Sequence, residues 1–94
     1  MSLEFIKDKV FDICLHLFQD VRLDVYSIEH MDFVDDLGMD SITFISLVIE
    51  VETEFAITLP EDKLLIDNFK NLSEIIEIVR TQLTSNNKSD NNDK

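Results

Sequence analysis

The reading of this chain turns on Phe33-Val34-Asp35-Asp36-Leu37-Gly38-Met39-Asp40-Ser41-Ile42, an acidic turn that ends on one serine and opens into a long apolar helix. Gly38 is the only glycine in the sequence, which marks a backbone conformation that a residue with a Cβ would adopt at a cost. Asp40 is placed to cap the helix, because its carboxylate can accept the unpaired backbone N–H groups of the first turn. Ser41 then takes the first helical position, with its hydroxyl exposed at the helix mouth. Free N–H groups and the positive end of the helix dipole favour an anion there, so a phosphodiester on Ser41 would sit in a suitable field. Taken alone, Asp-Ser before an apolar run also fits a plain helix start.

Downstream, helix two is expected from Ser41 to about Phe55, with Phe44, Leu47, Val48, Val51 and Phe55 as its inward stripe. Ile42, Ile45 and Ile49 are left over on a neighbouring face, more than a small bundle needs for its own core. Ile42 and Ile49 lie two turns apart with Ser46 between them, and Glu52 and Glu54 follow. That strip suits a basic, partly apolar partner, with the isoleucines giving affinity and the acids encounter rate. The competing reading puts the isoleucines in the bundle core.

Upstream, Leu3, Ile6, Val10, Ile13, Cys14 and Leu17 recur at spacings of three and four, which predicts helix one from Leu3 to about Phe18 with Ser2 as its cap. Phe5, Phe11 and Phe18 fall off the central stripe. From about Gln19 to Asp40 the pattern breaks into apolar anchors separated by acids, a long loop in which a short helical turn is compatible. The alternation of Val21, Leu23 and Val25 has no second strand-like segment to pair with and is not read as a strand. Phe33 and Leu37 are expected to be buried, fixing the turn that presents Ser41.

Pro60 suits the first position of a short helix through about Ile66, and Asn71-x-x-Glu74 matches a capping box for a last helix carrying Leu72, Ile75, Ile76, Val79 and Leu83. After Thr84 no apolar residue remains, so residues 85–94 are expected to form a disordered polar tail beyond a domain of residues 1–84.

Composition narrows the function classes. Ninety-four residues make one small domain with a single modest core and no room for an enzyme's cleft and lid. No apolar run reaches the roughly 18–20 residues that cross a bilayer, and Glu4, Lys7 and Asp8 interrupt any leader-like segment, so a cytoplasmic monomer is expected. The net charge is −12, and between Arg22 and Lys63 there are eleven acids and no Lys or Arg. Such a field repels nucleic acid and draws basic protein surfaces. The lone Cys14 sits in an apolar stripe, as a buried thiol would.

Other chemistries lack their residues. Asp35, Asp36 and Asp40 miss the calcium-loop pattern, since Leu37 and Met39 stand at ligand positions. His16 and His30 have no partner at ligand spacing, so no metal site is expected. Ser41 lacks a nucleophile elbow and a glycine after it, and no catalytic residue is assigned.

The string from Phe33 to Ile42, followed by Glu50-Val51-Glu52-Thr53-Glu54-Phe55-Ala56-Ile57-Thr58-Leu59-Pro60, resembles the phosphopantetheine-attachment motif of acyl and peptidyl carrier proteins. The resemblance covers about residues 6–83. It implies an all-α, up-down four-helix bundle, three main helices plus one short helix, with a long first loop. It also implies that Ser41, set by Asp40, carries a covalent phosphopantetheine placed there by a phosphopantetheinyl transferase. An acyl carrier would hold its cargo as thioesters on that arm and present it to loading and processing enzymes with basic docking surfaces, through Ile42, Ser46, Ile49 and Glu52. Thr43 and Ser46 stand where fatty-acid-type carriers often bear acids, and Asp40-Ser41-Ile42 also resembles peptidyl carriers, so an aminoacyl carrier is the alternative. An unmodified helical adaptor is a further one.

Overall fold

The computed structural model describes residues 2–19 and 22–92, and within these the side chains of all but residues 25, 26 and 85–92. Its elements are α1 (Leu3–Leu17), a one-turn α2 (Val25–Ile28), α3 (Ser41–Phe55), two 3-10 turns at Glu61–Lys63 and Ile66–Phe69, and α4 (Leu72–Asn92). No strand occurs among the described residues. The chain is an all-α bundle in which α1 packs against both α3 and α4.

Each long helix starts where a side chain can replace a missing acceptor. Ser2 Oγ accepts the Phe5 N–H at 3.1 Å, Asp40 Oδ1 accepts the Thr43 N–H at 2.9 Å, and Asn71 Oδ1 accepts the Glu74 N–H at 2.9 Å. The stripes meet in one core. Ile6, Val10, Ile13 and Cys14 of α1 join Leu47, Val48, Val51 and Phe55 of α3 and Leu72, Ile75 and Val79 of α4. Fully burying a side chain of this size contributes about 1.5–3 kcal/mol. Leu3, expected in the α1 stripe, is 56% exposed, because it is the first residue of the helix and lies beyond the edge of the core. Of the off-stripe rings, Phe18 is buried edge-on against Phe33, Phe11 is half-buried, and Phe5 lies exposed beneath the Lys9 ammonium.

One expectation is corrected. The short helix from Pro60 to Ile66 is instead two separate 3-10 turns, because Leu64 takes a non-helical backbone (φ −84°, ψ 58°) and Leu65 is extended. Leu64 and Ile66 both pack on the core, so the chain follows its apolar anchors rather than one continuous helix. Pro60 precedes the first turn with extended backbone rather than opening a helix. Helix α4 runs through Asn92, across part of the stretch expected as a polar tail over residues 85–94; residues 93 and 94 lie outside the described residues. Once α4 is nucleated on the core, each further residue adds a backbone hydrogen bond at little cost, so helix can run past its last apolar anchor.

Candidate functional site

The turn before Ser41 is held from several sides. Phe33, Leu37 and Met39 are buried in the core. Between these anchors the backbone folds on itself: Asp36 N–H bonds to Asp32 C=O, Gly38 N–H to Val34 C=O, and Met39 N–H to Phe33 C=O at 2.9 Å. Asp32 Oδ1 accepts the N–H groups of Val34 and Asp35, and Asp36 Oδ2 accepts that of Asp32. Phe33 N–H also reaches the Lys70 carbonyl, which ties the turn to the segment entering α4. Gly38 has φ +72°, and no atom lies within 4 Å of where its Cβ would stand. Its need for glycine is therefore conformational and not a matter of room.

Asp40 completes the approach. Its carboxyl is held below the usual range, first by the Thr43 backbone N–H and then by the Thr43 hydroxyl. Ser41 follows as the first residue of α3, exposed, with no hydrogen-bond partner for its hydroxyl among the described residues. A nucleophilic or acceptor oxygen stands here at the mouth of a fifteen-residue helix, where the field favours a negative substituent. The site fits a phosphate ester: an exposed hydroxyl at the first position of the helix, where first-turn N–H groups lie.

The residues expected to meet partners are placed as follows. Ile42, Ile45 and Ile49 are 76%, 56% and 55% exposed, which takes them out of the core. Ser46 is half-buried between Ile42 and Ile49. Glu52 is half-buried at the edge of this face, and its Oε2 accepts the Leu59 N–H at 2.8 Å, fastening the α3 exit. That exit uses Ala56 in the left-handed region (φ 53°), with Ile57 N–H returning to the Glu52 carbonyl. Sequence reasoning missed Leu65, which is 59% exposed and immediately precedes the turn whose Phe69 packs edge-on against Phe44 in the first turn of α3. It also missed Met39 and Leu59 as core anchors, though both are apolar residues bracketing helix ends.

A model of the phosphopantetheine attachment site matches residues 17–79, a span that includes this turn and Ser41. The chain belongs to that family. The prosthetic group of this family is a covalently attached phosphopantetheine. Two curated relatives agree with it. One is an acyl carrier protein of Exiguobacterium sibiricum, 35% identical over 51 residues that make up 54% of this chain and 62% of the relative. Another is an acyl carrier protein of Zymomonas mobilis subsp. mobilis, 46% identical over 35 residues, 37% of this chain and 45% of the relative. The matched segments thus span less than two thirds of either relative's length.

Among the described residues, no group of three or more His, Cys, Asp or Glu side chains converges as a metal site would, and no helix is long and apolar enough to cross a membrane.

Proposed function

We propose that this chain is an acyl carrier protein that bears its phosphopantetheine on Ser41 and acts by carriage rather than catalysis. The observation that carries this is the free hydroxyl of Ser41 at the mouth of α3, preceded by the capping carboxylate of Asp40. In the attachment step Ser41 Oγ bonds to the phosphorus that bears the pantetheine. The bond from that phosphorus to the bridging pyrophosphate oxygen of coenzyme A breaks, the adenosine bisphosphate leaves, and the hydroxyl proton passes to a base of the transferase or to water. Once attached, the group supplies a terminal thiol for thioester chemistry. The chain's own residues do the rest. Asp40 fixes the first turn, Gly38 and the buried Phe33 and Leu37 hold the approach, and the outer side of α3 meets partners.

Tethering makes each later encounter local and raises effective concentration. The partners are a phosphopantetheinyl transferase and acyl-loading and processing enzymes, which dock on Ile42, Ser46 and Ile49 with Glu52 at the border. We place the protein in the cytoplasm as a monomer, in keeping with its single cysteine, which admits no internal disulfide. The deciding experiment is intact-mass analysis after incubation with a broad-specificity transferase and coenzyme A. Wild type gains the mass of the arm, and Ser41→Ala gains none while keeping its unfolding midpoint. Gain of the arm by the alanine variant would remove the assignment.

A further inference from the structure

Given the carrier reading, on which this inference rests, the path of the chain into Ser41 depends on Asp32, which stands one position before the motif. Asp32 leads into a single hydrogen-bonded turn over residues 33–37. One turn alone is a poor structure, because it fixes more backbone angles than its few hydrogen bonds offset, and its first N–H groups have no acceptor within it. Asp32 Oδ1 accepts two of those groups, from Val34 at 2.9 Å and from Asp35 at 2.8 Å, while the Asp32 carbonyl accepts the Asp36 N–H at 2.7 Å. These are the bonds of an N-cap. The contact is returned by Asp36, whose Oδ2 accepts the Asp32 N–H at 2.7 Å, one residue later than the returning side chain of a usual capping box.

The far end of the turn relies on the near end. Gly38 N–H bonds to the carbonyl of Val34 at 3.1 Å, and Val34 is one of the two residues that Asp32 holds. Glycine has no Cβ to confine it, so its φ of +72° is kept by the bonds around it. Met39 N–H then returns to the Phe33 carbonyl, and Asp40 opens α3. The buried Phe33, Leu37 and Met39 hold this turn to the core, but their side chains supply none of its missing acceptors. The direction in which the chain delivers Asp40 and Ser41 is therefore set by the turn that Asp32 starts.

The Asp32 carboxylate also lies near a cation, with Oδ2 3.8 Å from Lys70 Nζ. Both side chains are partly exposed, and an ion pair of that kind contributes little. We infer that Asp32 is a positioning residue for arm transfer, acting through Oδ1 as the cap of the turn that delivers Ser41, with its charge dispensable. Without the cap, the transferase docks on the same α3 face, but fewer of the docked chains present the hydroxyl for attack.

The test is steady-state arm transfer from coenzyme A by a broad-specificity transferase, with the concentration of unmodified carrier varied, product read by intact mass and the unfolding midpoint of every variant recorded. Asp32→Asn keeps the acceptor and loses the charge, whereas Asp32→Glu keeps the charge and carries its oxygens one methylene away from the cap position. Asp32→Asn retains kcat within about twofold of wild type, since Asn and Asp cap equally well. Asp32→Glu and Asp32→Ala lower kcat roughly fivefold or more, while KM for the carrier stays within about twofold. Ser2→Ala removes the cap of a different helix, so it lowers the midpoint and leaves kcat unchanged. Should Asp32→Ala fail to fold, the contrast of Asn with Glu decides. Asp32→Glu at the wild-type kcat, Asp32→Asn as slow as Asp32→Glu, an effect confined to KM, or an equal loss of kcat in Ser2→Ala would each overturn the proposal. A wild type that gains no mass on Ser41 is a separate failure, one that removes the carrier reading itself and this inference with it.

Discussion

Helices α3 and α4 enter the fold alike and face water differently. Each is capped by the side chain just before it, and each buries an apolar stripe against α1, with Leu47, Val51 and Phe55 on one and Leu72, Ile75 and Val79 on the other. On its outer side α4 carries Ser73, Glu74, Glu77, Arg80 and Thr81, with Glu77 and Arg80 paired. That is the surface expected of a helix whose only task is to close a core. On its outer side α3 carries Ile42, Ile45 and Ile49 instead. The fold accounts for every apolar residue of α4 up to Val79, but for only one of the two apolar faces of α3. A helix apolar on both sides, in a chain with twenty acidic residues, is the feature on which the proposed docking of partners rests.

The contrast breaks most visibly if the two faces of α3 respond alike to truncation. Leu47→Ala, at a fully buried position, is expected to cost about 2–5 kcal/mol, read from chemical denaturation. Ile49→Ser, on the outer face, is expected to change stability by no more than about 0.5 kcal/mol. A strongly destabilised Ile49→Ser would return that residue to the core and erase the difference from α4.

Removing residues 86–94 sharpens the α4 half. Residues 86–92 lie in α4 beyond its last apolar anchor, Leu83, and residues 86–94 contain no apolar side chain. The denaturation midpoint of the shortened chain should match that of the full chain; a clear drop would show that the polar end of α4 contributes to the fold.

A small effect, confined to acid pH, concerns the cap of α3. Because the folded-state pKa of Asp40 is lowered, its contribution to stability is complete above the ordinary carboxylate value and is lost as pH falls through the lowered one. Asp40→Asn can still cap, so it should track wild type near neutrality and lose less stability on acidification below about pH 4. Identical acid limbs in the two proteins would show that the charge of Asp40 adds nothing to the cap.

Much of this was legible beforehand because short-range rules decide it. The caps at Ser2, Asp40 and Asn71, the glycine at positive φ, and the stripes of the three long helices depend on neighbours within one or two turns. Residues 57–69 were not legible in the same way. Whether Leu64, Leu65 and Ile66 continue a helix depends on where the core stands relative to the chain, and two of the three turn inward while Leu65 faces water. The partners of Glu50 and Glu54 were hidden too, since His16 and Lys9 lie far off in sequence and meet them only through the α1–α3 packing. The position of Ser41 could be read directly, whereas the charge pattern around it required the assembled bundle.

Cys14 carries a practical consequence. It is fully enclosed between α1 and the core, and burial pushes its thiol up to about 12. Alkylating reagents and disulfides attack the thiolate, so at neutral pH this sulfur is nearly inert in the folded chain. An arm on Ser41 would place a second thiol in open water, outside that enclosure. The folded protein is thus its own blank: a colorimetric thiol count under native conditions reads the fraction of chains that carry a free arm, with no need to engineer the cysteine away.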